Sequence, residues 1–473
     1  MKAPIRFGTD GWRSIIAEDF TFDNVRAAAQ AVADFLEEKG EDKRVAVGYD
    51  FRFLSEQFAA AVAEVLAANG VTVYLSPRAC PTPHVSYFTN RRRLPLGIVI
   101  TASHNPYIYN GFKLKEGFGG SALPETTRRI EALIGKNPPR TTTFREAKHA
   151  GLIIETPLDE GYETLVESLV DIDAIRSASA TVVVDSMNGV GEERLARWAG
   201  SSTMRVVTLR AGRDPLFGGL APEPKEEWLD LLRASVLENK ALVGLATDGD
   251  ADRSGGVHRD ASTFTPLEMI ALLALYLVEH KGQRGVIAST NANTLYLKRI
   301  AEAAGLPYVN KPVGFKYIAE IMQTDEVLIG GEESGGMTVK GFLPERDGVL
   351  INLLLVEMMV KRGKDSLALL QELYERFGEF HFRRRDFPVA PEKGLKQVAA
   401  ITARPPAELL GVKVTDVDTL DGTKLFLADG SWILFRQSGT EPSLRVYTET
   451  VSKARLDPLI EAGMKALGEA DRG

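Results

Sequence analysis

The chain has 473 residues, 44% of them hydrophobic and 26% charged, with a formal net charge of −7. One hydrophobic core organises at most roughly 250–300 residues, so three or four domains are expected, and a composition this ordinary excludes a disordered chain. The negative balance excludes a global basic field for DNA or RNA, so no nucleic-acid partner is expected.

In chain order, the opening MKAPIRFGTDGW has no apolar signal segment. VAVGYD (45–50) reads as a strand ending in a polar turn. SEQFAAAVAEVLAANG (55–70) reads as a helix closed by Gly70, and VTVYLS as a second strand. The same plan returns twice. TVVVDSMNGVG (181–191) leads into EERLARWAG and MRVVTLRAG, and GVIASTNAN (285–293) into TLYLKRIAEAAG and LPYVNKPVG. Each is a β–turn–α–β unit with an expected parallel strand pair and a glycine at the helix end. Three such units predict three similar α/β domains. VLINLLLVEMMV (349–360) carries Asn352 and Glu357, is too short to span a bilayer, and reads as a core helix, so no membrane association is expected. Cys80 is the only cysteine, which rules out an intrachain disulfide and suits a reducing, cytoplasmic location. The basic runs Arg91-Arg92-Arg93 and Arg383-Arg384-Arg385 read as solvated edges.

The tail differs. Asp421-Gly422 and Asp429-Gly430 separate alternating segments, which predicts antiparallel hairpins. LRVYTET is a further strand and RLDPLIEAGMKALGEA a terminal helix, making a separate α+β domain. The expected domains are 1–150, 151–258, 259–375 and 376–473.

Four clusters carry chemistry. In ITASHNPYIYNGFK (100–113), Ser103 follows the buried strand LGIVI, with His104 beside it and Lys113 downstream. It lacks the G-x-S-x-G elbow, so it is either a turn residue or a nucleophile of another kind. In TDGDADR (247–253), Asp248, Asp250 and Asp252 alternate. On an extended segment their carboxylates share one side, and three like charges so close are costly without a cation; the other reading is an exposed acidic turn. Oxygen-only ligands suit Mg²⁺. Positions six and twelve of an EF-hand loop hold Arg253 and Arg259 instead of Gly and Glu, which excludes that reading. GGEESGG (330–336) offers carboxylates and a hydroxyl, a set better suited to sugar hydroxyls than to phosphate. FRQSGTEPSLRVY (435–447) gathers Arg436, Ser438, Gly439, Thr440, Ser443 and Arg445 in one loop, which is either an ordinary hairpin loop or a set of donors that converge on a phosphate.

The order TASHNP, DGDADR, GEESGG, RQSGTEP resembles the α-D-phosphohexomutase family of phosphoglucomutases and phosphomannomutases. FGTDGWR (7–13) and GYDFR (48–52) resemble its first domain, so the likeness covers essentially the whole chain. It implies three α/β/α domains with mixed sheets and a TATA-binding-protein-like α+β domain around a central cleft. It implies that Ser103 carries a phosphoryl group, with Arg13, His104 and Lys113 as neighbours that bind it or move a proton. Asp248, Asp250 and Asp252 would hold Mg²⁺, with a phosphoserine oxygen from Ser103. Arg253 would lie beside that phosphate. Glu332 and Ser334 would grip the sugar, and the loop of Arg436, Ser438, Gly439, Thr440 and Arg445 the phosphate that stays in place. Implied partners are hexose phosphates, with glucose 1,6-bisphosphate as activator and a monomer or small homo-oligomer as the assembly. Some relatives have histidine where this chain has Gly336 and Phe315, which moves expected proton transfer towards Lys113. The glycine-rich loop leans towards glucose phosphates, with mannose phosphates open. The alternatives are a metal-dependent sugar phosphatase and a catalytically silent sugar-phosphate-binding protein.

Overall fold

A computed structural model describes residues 5–8, 10–40, 42–439 and 442–472. The chain forms three α/β/α domains with mixed sheets, followed by an α+β domain with an antiparallel sheet. All three expected β–turn–α–β units are present. Arg44–Tyr49 pairs in parallel with Thr72–Leu75, Ala180–Asp185 with Met204–Leu209, and Val286–Thr290 with Tyr308–Lys311. Between them lie helices Ser55–Ala68, Arg194–Ala199 and Tyr296–Ala304.

The glycines after these helices do not all serve one purpose. Gly70 and Gly305 take left-handed φ values of 77° and 62°, as a C-terminal cap demands. Gly200 has φ −65° and needs no such freedom. A Cβ there would lie 2.5 Å from the Ala196 carbonyl oxygen, so its glycine is required by close approach.

In the first sheet the central strands Arg44–Tyr49 and Leu96–Ile100 are parallel, and Tyr109–Glu116 and Trp12–Ile15 add antiparallel strands at one side. LGIVI is buried along its length. Ile153–Glu155 closes the other edge, and Thr263–Phe264 pairs within the second sheet. The first and second sheets therefore run a few residues past 150 and 258.

The helix Gly348–Arg362 contains the apolar run and is buried on nearly every side, between the second and third domains. Both polar interruptions are satisfied, as buried polar groups must be. Asn352 accepts from the Ser254 hydroxyl. Glu357 accepts from Tyr276 Oη at 2.7 Å and the Asp171 amide at 3.0 Å, and pairs with Lys281 at 2.9 Å. Among the described residues no helix is long and apolar enough to cross a membrane.

The tail sheet is antiparallel throughout, with Trp432–Gln437 between Thr423–Leu427 and Ser443–Thr450. One face packs on helices Pro391–Ala403 and Leu456–Arg472. The other carries Trp432, Leu434 and Tyr447 against Ala292 of the third domain. Arg91, Arg92 and Arg93 are exposed, as a solvated edge should be. Arg384 is not. Its guanidinium grips both oxygens of Asp386 and lies 5.5 Å from the Tyr447 ring centroid. Strand register puts it on the face that also carries Arg445, so an apparent surface run contributes one member to the inner side of the sheet.

Candidate active site

Ser103 stands in the turn that follows the buried strand Leu96–Ile100, with φ +53° and 1% exposure. A non-glycine residue pays strain in that region, and such strain gathers at functional turns. Ser103 Oγ donates to Asp248 Oδ2 at 2.8 Å and lies 3.4 Å from His104 Nδ1. Its amide donates to Thr101 Oγ1 at 2.9 Å.

The three aspartates converge, by a different route from the expected one. Residues 248–252 form a turn in which Ala251 has φ +59°, not an extended segment. The turn aims one oxygen of each carboxylate inwards, all within 4.8 Å of one another and all buried. Asp248 Oδ1 accepts from the Asp252 and Arg253 amides at 3.0 and 3.1 Å. Burial, reinforced by Asp252 and Asp250, pushes the Asp248 carboxyl well above its ordinary range. The turn packs tightly on the serine: a Cβ on Gly249 would lie 2.5 Å from the Ser103 carbonyl oxygen.

Lys113 Nζ reaches Asp10 and Asp250 at 2.8 Å each and Asp252 at 3.2 Å. Burial alone would lower its pKa. The three carboxylates outweigh that and hold it charged. Asp250 is likewise opposed by burial but held well below the usual carboxylate range by Lys113. His104 goes the other way. Burial, then the positive charges of Arg253 and Arg13, keep its imidazole neutral. Arg13 Nη1 donates to Asn105 Oδ1 at 2.8 Å, and Arg253 Nη1 to Glu223 Oε1 at 3.2 Å.

The glycine-rich segment closes as a tight turn. Glu332 N–H donates to Gly336 O at 3.0 Å, and Gly335 N–H to Glu332 O at 3.1 Å. The turn is tied to the segment that follows the three aspartates by Ser254 N–H donating to Gly335 O at 3.0 Å. Burial pushes the Glu332 carboxyl up to about 7, against the lowering influence of Arg346. Ser334 is half-buried beside it.

Arg436 sits opposite Arg445 on adjacent strands, with Ser438 at the strand end and Gly439 exposed. Thr440 lies outside the described residues. Arg436 Nε donates to Asp421 Oδ2 at 2.7 Å, and the same oxygen accepts from the Val313 amide at 2.8 Å. Burial opposes the charged form of Arg436, and Asp421 more than offsets it, with smaller contributions from Tyr447 and Glu333.

Several buried residues in this site were not singled out from sequence. Arg346 pairs with Asp10 and Asp252 at 2.7 Å each and lies 3.9 Å from Glu332. Lys115 pairs with Glu345. Thr82 Oγ1 donates to Asp250 Oδ2. Asp10 belongs to FGTDGWR, whose likeness to a known first domain was the one available signal. Nothing local marked Arg346, because its partners come from distant segments.

Four family models match in order: the phosphoglucomutase/phosphomannomutase alpha/beta/alpha domains I, II and III over residues 4–141, 160–261 and 265–377, and the C-terminal domain over 387–465. A phosphoglucomutase/phosphomannomutase of Thermococcus kodakarensis is 32% identical over 99% of both chains. A phosphoglucosamine mutase of Thermobifida fusca is 30% identical over 96% of both. A crystal structure from Thermus thermophilus, provisionally described as a phosphomannomutase, is 35% identical with a TM-score of 0.87, covering 99% of this chain and 100% of that one.

Proposed function

The chain belongs to the phosphoglucomutase/phosphomannomutase family of phosphohexomutases, and on that premise we propose that it interconverts hexose 1-phosphate and hexose 6-phosphate through a phosphoryl group carried on Ser103. The observation that carries this is the 2.8 Å contact of the Ser103 hydroxyl with a buried aspartate triad.

The site fits Mg²⁺. Its donors are all oxygens, and Asp250 Oδ1 and Asp252 Oδ1 are buried with no hydrogen-bond partner among the described residues. Asp248, Asp250 and Asp252 would hold the ion, with a phosphate oxygen on Ser103. The bound ion would neutralise charge on the transferring phosphoryl group.

The protein's own groups supply the rest. The phosphoserine O–P bond breaks as the free hydroxyl of the sugar monophosphate forms a new O–P bond, giving a 1,6-bisphosphate. His104, uncharged and with Nδ1 3.4 Å from Ser103 Oγ, takes the hydroxyl proton and passes it to the Ser103 oxygen as that oxygen leaves phosphorus. Lys113, Arg13 and Arg253 supply positive charge for the phosphoryl oxygens. Glu332 and Ser334 grip sugar hydroxyls while Arg436, Ser438, Thr440 and Arg445 hold the other phosphate. The bisphosphate then turns over in the cleft and returns its second phosphate to Ser103. Glucose 1,6-bisphosphate is accordingly the proposed activator. Glucose phosphates are the proposed preferred substrates, from the resemblance of the glycine-rich turn.

The test is incubation with glucose 1-phosphate, Mg²⁺ and a trace of glucose 1,6-bisphosphate, with mannose 1-phosphate and glucosamine 1-phosphate in parallel. Glucose 6-phosphate forming without matching free phosphate is the expected result. Release of free phosphate marks a phosphatase, and no turnover of any sugar marks a binding protein. Faster turnover of another sugar overturns the glucose preference alone.

A further inference from the structure

Arg52 is completely buried, yet none of the chemistry above uses it. Its guanidinium is spent on the backbone of the serine turn. Nη2 donates to the carbonyls of Ser103 and Asn105 at 2.6 Å each. Nη1 donates to those of Pro106 and Tyr109 at 3.0 and 3.1 Å. Asp50 Oδ2, 3.1 Å from Nε, supplies the counter-charge. That oxygen also accepts from Thr101 Oγ1 at 2.6 Å, and Thr101 Oγ1 accepts the Ser103 amide. The carbonyl of Ser103 is thus held by Arg52, and its amide is held through Thr101 by the partner of Arg52. Both anchors clamp a residue whose φ of +53° is strained. The guanidinium is covered from the second domain by the Phe217 ring, 4.9 Å from centroid to Cζ, and Phe217 is itself buried with φ +51°. A planar fork can serve four carbonyls at once, and an ammonium cannot.

We propose that Arg52 is a positioning residue for the nucleophile, holding Ser103 in its strained conformation, and that Phe217 locks it there once the domain carrying Asp248 is docked. The inference rests on the reading of Ser103 as the phosphoryl carrier. Its consequence is that the serine turn and the metal loop are set together, because each domain supplies part of the clamp.

The variants are Arg52→Lys and Phe217→Leu in the full chain, with kcat, KM, the Mg²⁺ concentration for half activity, and the ³¹P signal of the phosphoserine. A displacement of the reacting group by an ångström costs about 100-fold in rate. Arg52→Lys is expected to lower kcat by about that factor, with KM for the sugar phosphate within about twofold and the Mg²⁺ concentration for half activity raised, because the phosphate oxygen on Ser103 would be one of the ion's ligands. Its phosphoserine ³¹P line should shift or broaden. Phe217→Leu should move kcat and the ³¹P line in the same direction, by about 10-fold in rate. Wild-type kcat in Arg52→Lys overturns the proposal, as does a raised KM with an unchanged ³¹P line. If Arg52→Lys fails to fold, Phe217→Leu decides by the same criteria. Absence of phosphate on Ser103 in the wild-type protein removes the underlying reading instead. Phosphate present with wild-type kcat in both variants removes only the role of Arg52.

Discussion

Asp250 has two oxygens with two different occupations. Oδ2 accepts from Thr82 and Lys113, while Oδ1 is buried without a partner among the described residues. Asp250→Asn removes a ligand charge and relieves repulsion with Asp248 and Asp252, while Lys113 keeps Asp10 and Asp252. The opposing effects should leave the unfolding midpoint near wild type, with the Mg²⁺ requirement raised at least about 10-fold and kcat lowered. An Mg²⁺ titration of activity beside a thermal melt checks this; wild-type turnover at low Mg²⁺ contradicts it. Glu332 carries a different cost. Its folded pKa of about 7 lies above the ordinary glutamate value, so its ionised form is the penalised one. Stability is complete below the unfolded pKa and falls as pH rises through about 7, by up to about 3 kcal/mol. Glu332→Gln should therefore melt progressively above wild type between about pH 5 and pH 8, while raising KM because an acceptor for sugar hydroxyls is lost. A constant offset across that range contradicts the assignment. The identities of such residues are legible in the motifs, but their charge states are not. Lys113 is expected in proton transfer from its place in ITASHNPYIYNGFK, while the balance of burial against Asp10, Asp250 and Asp252, which favours its charged form, comes from segments that spacing does not join.

Strand–turn–helix units survive the passage from sequence to structure best, because apolar spacing is local and repeats three times. Loops survive less well. Alternating aspartates suggested an extended segment, and the chain makes a turn at Ala251 instead, which aims the same carboxylates inwards by a sharper path. Arg383 to Arg385 read as a surface edge, although strand alternation turns Arg384 inwards. The tail loop is the element whose role depends most on its neighbours. Arg436 is steered by Asp421, which also anchors the third domain through the Val313 amide. A loop that holds the phosphate in place must accept it from either end of the sugar. Losing one charge-assisted hydrogen bond costs ~1.5–3 kcal/mol, roughly 10- to 150-fold in binding. Arg436→Ala should thus raise KM for glucose 1-phosphate and glucose 6-phosphate alike and release more bisphosphate to solution. Phosphoserine should still form with excess bisphosphate. A rise in only one direction means a single binding mode, and no rise returns the loop to an ordinary hairpin turn.

Across the whole molecule the four motifs belong to four domains, and their order along the chain already pointed to one cleft. What joins them was hidden. Arg346 from the third domain meets Asp10 of the first and Asp252 of the second, and the helix Gly348–Arg362 is buried against both the second and third domains. Contacts between segments hundreds of residues apart leave no periodicity or spacing to read. The first-domain motifs FGTDGWR and GYDFR were recognisable, while the work of Asp10 and Arg52 became visible only with their partners in place. The central claim is that a phosphoryl group moves between Ser103 and the sugar. Its most direct measurement is to load the enzyme with ³²P-labelled glucose 1,6-bisphosphate, map the labelled peptide, and chase with unlabelled glucose 1-phosphate. The label should sit on Ser103 in wild type and be absent in Ser103→Ala, and the chase should carry it into sugar phosphate. Label on another residue, full activity in Ser103→Ala, or a chase that delivers the label to water as free phosphate contradicts the account.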